Sequence, residues 1–328
     1  MWAAFFFIDF IKQVCKIFSK RSTKELNKLS QTMKNTSYII ALLVIVAQLS
    51  FAGEIHRYAT FEVEILEQGT PVFLIPGATC SGDIWESTLA LLSQQYECHV
   101  FTLAGYAGVE PLENPPYLPT IKKALRDYIS EVCDGQKAAV IGHSIGGYLA
   151  LQMASEQPDV FDKLLIVDAL TFLPAARNPA ITEEQIRNYP IEAMVQQYQQ
   201  MDSLTFRQMQ QQVVGSMVGN KEFHEQVLGW SLTSDRRTMA YTVNEMMRTD
   251  LRQEIAAIHC PVPVLGAWDE GYPQSRQATQ QIYQEQYNAA QHVDIRFPAS
   301  AYHFIMLDTP KWYAEQLTSF FIKLLDHE

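Results

Sequence analysis

A serine with a glycine two residues away on either side, Gly142-His143-Ser144-Ile145-Gly146, separates the apolar run 138–141 from a second apolar pattern at 148–153. The run reads as a buried strand and the pattern as a helix, which sets the hydroxyl on a strand-to-helix corner. Such a corner needs neighbours without side chains so that strand and helix can approach, and the helix start behind it favours negative charge. The chemistry on offer is nucleophilic. A serine hydroxyl attacks only when a base takes its proton and a third group orients the base. Of the eight histidines, His303 is the expected base, because FPASAYHFIMLDTP follows the last strand-like segment and precedes the final helix. His143 sits too close to the turn to swing back and reads as a packing or hydrogen-bonding residue. The expected acid is Asp269, at the end of PVPVLGAWD, with Asp168, at the end of KLLIVDA, as the alternative. An oxyanion developing at the attacked carbonyl needs fixed N–H donors. Ile145, directly after the serine, is one. Ala78 is the other, in the turn after PVFLIPG where Pro76 has no N–H to give.

The elements that must hold these residues follow from periodicity. RYATFEVEI and PVFLIPG read as strands, DIWESTLALLSQQ as a helix, CHVFTLAG as a strand and the Pro-rich GVEPLENPPYLP as a loop. A helix in TIKKALRDYISEV, the strand and helix of the serine corner, and the strand KLLIVDA come next. This βαβα alternation predicts a parallel sheet covered on both faces. From about Leu173 to Ile258 it stops, giving way to a Gln- and Met-rich stretch of helical pattern without a convincing strand, which reads as a helical lid insertion. The sheet resumes with PVPVLGAWD, a helix in SRQATQQIYQEQY, the strand VDIRFP and a final helix over 311–325.

In that setting the segments IPGATCSGDIW, GHSIGG, GAWDE and YHFIMLDTP, taken in order, resemble the α/β-hydrolase superfamily, in particular its lidded esterase-like branch, from about residue 70 to 328. The resemblance implies an α/β fold with a mostly parallel eight-stranded sheet, helices on both faces and a helical lid. It also implies a Ser144, Asp269, His303 triad, no cofactor and a cap that shapes the substrate pocket. Pro76-Gly77 stands where His-Gly is common, and TLAGYAG replaces the usual Arg-Gly-His-Gly. Trp85, Tyr106 and Trp268 flank the catalytic segments and are expected to line an apolar acyl site. Met194, Met201, Met209, Met217, Met239, Met246 and Met247 either seat the lid or give it a deformable apolar face. The expected function is hydrolysis of a small or medium carboxylic ester through an acyl-enzyme. The same machinery also supports C–C bond hydrolysis or cofactor-free haloperoxidation, and the fold alone is compatible with a non-catalytic ligand-binding receptor.

Composition sets the outer bounds. The 328 residues are 48% hydrophobic and carry a formal charge of −11. Seven bases (Lys12, Lys16, Lys20, Arg21, Lys24, Lys28, Lys34) fall in residues 1–52, so the remainder is more acidic still and repels phosphate backbones. No nucleic-acid partner is expected. The stretch 33–52 opens with Met33 and Lys34, runs apolar from Tyr38 to Leu49 and ends in Ser50-Phe51-Ala52, which reads as a secretory signal peptide with Gly53 first in the mature chain. Residues 1–32 are then an upstream extension and 53–328 the hydrolase domain. The apolar run is short of the roughly 20 residues of a membrane span. A secreted or periplasmic location is expected, with an uncleaved anchor as the alternative and no stable membrane span after cleavage. Neither CxxC pairs nor His/Cys clusters at metal spacing occur, so no metal is expected and the partner is a small-molecule substrate.

Overall fold

The computed structural model of the chain describes residues 53–66, 68–187 and 190–321. The expected upstream extension, 1–32, and the expected signal peptide, 33–52, lie outside the described residues. The segment RYATFEVEI, expected as one strand, divides into a hairpin. β1 (Glu54–Arg57) turns through Tyr58, whose N–H donates to the Phe61 carbonyl at 2.9 Å, into β2 (Phe61–Leu66). Then follow β3 (Thr70–Ile75), α1 (Glu86–Leu92), β4 (Tyr96–Leu103), α2 (Tyr117–Cys133), β5 (Ala138–His143), α3 (Ile145–Glu156) and β6 (Phe161–Val167). Five helices come before the next strand: α4 (Glu183–Arg187), α5 (Ile191–Gln200), α6 (Ser203–Met217), α7 (His224–Thr233) and α8 (Arg236–Met247). β7 (Val262–Leu265), α9 (Arg276–Gln286), β8 (Val293–Arg296), α10 (Ile305–Asp308) and α11 (Pro310–Phe321) complete the described chain.

All eight strands join one sheet in the order β1-β2-β4-β3-β5-β6-β7-β8. β2 is antiparallel to both β1 and β4, and every pairing from β4 to β8 is parallel. The parallel strands are apolar throughout because both of their faces are covered. Successive residues feed opposite cores: Phe73, Val140, Leu164 and Ile166 pack on one face with α2 and α3, while Leu74, Ile141, Leu165 and Val167 pack on the other with α11. The chain leaves β3 for β4 on one side and returns to β5 on the other. This reversal opens a crevice at the carboxyl ends of β3 and β5, where open α/β sheets place their ligands.

α2 begins at Tyr117, one turn earlier than its apolar pattern suggested, and carries Pro119 inside its first turn, where a missing N–H costs no helical bond. Its free amides at Tyr117 and Leu118 donate to the Glu245 carboxylate on α8, at 3.0 and 2.7 Å. The inserted helices are delimited by side-chain caps: Asp202 accepts from Leu204 and Thr205 at the start of α6, and Asp235 accepts from Thr238 at the start of α8. Asp308 ties the insertion to the loop that carries His303. One oxygen accepts from the Gly219 and Asn220 amides, both at 2.9 Å, and the other from the Tyr302 amide at 2.8 Å.

Candidate active site

Ser144 stands between β5 and α3 with φ 53° and ψ −120°, a left-handed conformation for a residue that has a Cβ. Its N–H donates to the Val167 carbonyl at 2.9 Å, which locks the turn to the end of β6. The hydroxyl caps nothing in α3 and is left free for chemistry. The glycines make the turn sterically feasible. A Cβ on Gly142 would fall 2.6 Å from the Gly146 carbonyl oxygen, and one on Gly146 would fall 2.2 Å from that of Ile75. These are backbone atoms that no rotamer change can move. We therefore expect Gly146→Ala to destabilise the fold by about 3 kcal/mol or more, read as a lowered urea midpoint at unchanged m-value. A midpoint unmoved from the parent would show that strand and helix have room to separate.

His303 faces the same cavity as Ser144. Its Nδ1 is 2.5 Å from Oδ2 of Asp168, with the two side chains 20% and 11% exposed. Asp168 directly follows β6, takes φ 49°, and is fixed through Oδ1 by the Ala267 amide at 2.6 Å and the Tyr283 hydroxyl at 2.5 Å. A carboxylate anchored in this way, accepting from the imidazole Nδ1–H, settles ring orientation and tautomer. His143 lies beneath, its ring centroid 4.6 Å from that of His303, and its Nε2 donates to the His303 carbonyl at 3.1 Å. Burial, then the charge of His303, depresses the basicity of His143 well below that of an ordinary imidazole, so it serves as a neutral prop.

Four of the sequence expectations need correction. Asp269 is not hydrogen-bonded to the histidine. Its Oδ1 accepts from the Gly271 amide at 2.8 Å, its Oδ2 from the Ser300 hydroxyl, and these bonds, that of Ser300 foremost, lower its pKa. The reason is positional: β6 is the direct neighbour of β5, whereas β7 lies one strand further out. Trp85, Tyr106 and Trp268 do not line the cavity. Trp85 is wholly buried in the core beneath the sheet, Tyr106 is wholly buried and bonded to the Thr242 hydroxyl at 2.5 Å, and the half-buried Trp268 donates to the Gln274 carbonyl at 3.0 Å.

The cavity has a volume of about 560 Å³. Its floor is Gly77, Ala78, Ser144 and Ile145, so the two expected oxyanion donors border the serine. Its walls come largely from the inserted helices and are mostly apolar, with Met194, Met217, Met239 and Met246 among them, whereas Met201 and Met209 pack against the core. Two residues of this site went unread in the sequence. Tyr283 is a helix tyrosine 115 positions from its carboxylate partner, and Gln210 is one of many glutamines in the insertion. Neither belongs to a local motif. Burial holds the Cys80 thiol up at about 12, out of range for a competing thiolate nucleophile. Among the described residues no group of His, Cys, Asp and Glu is arranged to hold a metal, and no helix is long and apolar enough to cross a membrane.

A model of the alpha/beta hydrolase family matches residues 72–316. Pimeloyl-acyl-carrier-protein methyl ester esterase of Aliivibrio fischeri is 30% identical over 100 residues, an alignment covering 30% of this chain and 37% of that relative's length. The Vibrio atlanticus enzyme of the same name is 23% identical over 201 residues, covering 60% and 74%. Among solved structures, a hydrolase from Pseudomonas aeruginosa superposes with a TM-score of 0.67 at 13% identity, covering 83% of this chain and all of that one. A thermophilic esterase from Thermogutta terrifontis gives 0.65 at 16%, covering 81% and 97%. At such identities these structures speak for the fold.

Proposed function

The chain belongs to the alpha/beta hydrolase family and is an enzyme, and from that premise we propose that it cleaves a small or medium carboxylic ester through an acyl-enzyme on Ser144. In this reading the Ser144 hydroxyl attacks the ester carbonyl while His303 Nε2 takes its proton. Asp168, bonded to Nδ1, holds the ring and stabilises the imidazolium that forms. The carbonyl oxygen becomes an oxyanion and is held by the amides of Ala78 and Ile145. Collapse of the tetrahedral intermediate breaks the bond to the alcohol, which leaves with the proton from His303. Water then enters, gives a proton to His303 and attacks the acyl carbon; the acid departs and Ser144 recovers its proton. The observation that carries the reading is the convergence of Ser144, His303 and Asp168 on one mostly apolar cavity.

Nitrophenyl esters graded by acyl length, together with a fluorophosphonate probe, test this. Turnover is expected to peak at short-to-medium chains, and the probe is expected to modify one residue per chain, on the peptide that contains Ser144. A protein that binds esters yet neither turns them over nor takes the label is a receptor on this fold, and the proposal fails.

A further inference from the structure

α6 buries a stripe at positions i, i+4 and i+8, formed by Phe206, Gln210 and Val214. On such a stripe an apolar residue satisfies every packing demand, and the flanking positions are apolar. Gln210 is nonetheless only 3% exposed and lines the cavity that holds Ser144, and its carboxamide has no hydrogen-bond partner among the described residues. An amide removed from bulk water without a partner costs free energy. Several other polar groups on the cavity wall are committed within the protein: Thr79 and Ser231 bond to each other at 3.2 Å, Ser216 donates to the Val213 carbonyl at 2.8 Å, and Tyr148 donates to the Thr249 carbonyl at 3.1 Å.

We propose that Gln210 is a specificity-determining residue that hydrogen-bonds a neutral oxygen function carried on the substrate's chain, a hydroxyl, a ketone or a second ester or amide carbonyl. The inference rests on the ester-hydrolase reading and adds the substrate class to it. Neutrality follows from the cavity wall. Among the described residues it contains no Lys or Arg and one carboxylate, Asp168, which is occupied by His303, Tyr283 and the Ala267 amide. A chain ending in a carboxylate would bury that charge uncompensated, and an alkyl chain would leave the carboxamide unpaired. A carboxamide both donates and accepts, which fits a carbonyl or a hydroxyl equally well. The substrate is thus an ester of medium length with a neutral oxygen at one position along its apolar part, on either the acyl or the alcohol side.

The test scans a ketone along the chains of nitrophenyl octanoate, for the acyl side, and octyl acetate, for the alcohol side, in the parent and in Gln210→Leu. At one chain position the parent is expected to favour the oxo ester over the plain one about tenfold in kcat/KM, and Gln210→Leu to reverse the preference. Gln210→Asn, one methylene shorter, should retain part of it. Without ligand, Gln210→Leu is expected to unfold at an equal or higher urea concentration. The same chains presented as unreactive amides, with Kd read by calorimetry, report on Gln210 without requiring turnover. Equal oxo-to-plain ratios in parent and Gln210→Leu at every position, by rate and by Kd, would overturn the inference. So would a marked loss of stability in Gln210→Leu, since it would mean that the carboxamide has a partner inside the protein. Absent turnover and absent labelling sink the ester-hydrolase reading instead, and leave the calorimetric comparison to decide the role of Gln210.

Discussion

Replacing Ser144 by alanine is expected to lower kcat about a million-fold on any ester the parent turns over, with fluorophosphonate labelling abolished and KM little changed. The size of the effect comes from the absence of a substitute. The other serine and threonine hydroxyls on the cavity wall are tied up in hydrogen bonds of their own, Thr79 with Ser231 and Ser216 with the Val213 carbonyl. None of them stands at the strand-to-helix corner that carries Ser144 in the crevice with His303. The fold should survive the change. The Ser144 hydroxyl caps no helix, and alanine keeps the Cβ that the corner already accommodates, so the urea midpoint is expected to stay within about 1 kcal/mol of the parent. Residual catalysis of roughly a thousand-fold over water, from the oxyanion donors and substrate binding, should persist and be insensitive to the probe. Activity within tenfold of the parent would place the nucleophile elsewhere and dissolve the triad.

What could be read in the sequence was what is encoded locally. The serine corner needs a buried strand, two glycines and a helix in one unbroken stretch, and all of it lies within 138–153. His303 was legible for a similar reason: a histidine between the last strand and the final helix of an α/β sheet lies at the carboxyl edge, where the loops gather. The acid was not, because both β6 and β7 run into an aspartate, and choosing between them requires the sheet order and the bonds that each carboxylate makes. The aromatics misled through their size. A Trp or Tyr next to a catalytic segment in the chain is as useful for filling the layer between sheet and helix as for meeting substrate, and Trp85 and Tyr106 do the former. Helix periodicity located the insertion, but the side chains of it that face the cavity depend on how five helices pack over the sheet. Gln210 therefore became visible only with the cavity.

The assignment of the acid leads to a comparison of two isosteric substitutions with opposite outcomes. Asp168→Asn is expected to lower kcat about ten thousand-fold, whereas Asp269→Asn should stay within about threefold of the parent. The asparagine would be held in the harmful orientation. The Ala267 amide and the Tyr283 hydroxyl both donate to one oxygen of residue 168, so the carboxamide oxygen stays with them and the NH2 turns to His303. Facing a donor, Nδ1 must accept, and the ring proton moves to Nε2, the atom that should receive the proton of Ser144. The imidazole is then intact, in place and in the wrong tautomer. Asp269 offers no such leverage. Its bonds run to Ser300 and the Gly271 amide, and their loss loosens a surface turn by about 1 kcal/mol without touching the base. Tyr283→Phe supplies an intermediate case: with the second oxygen of Asp168 released from one of its two donors, kcat should fall roughly tenfold while KM holds, because the carboxylate gains freedom to turn away from the imidazole. If Asp269→Asn were the crippled variant and Asp168→Asn the active one, the hydrogen bond between His303 and Asp168 would have no part in catalysis.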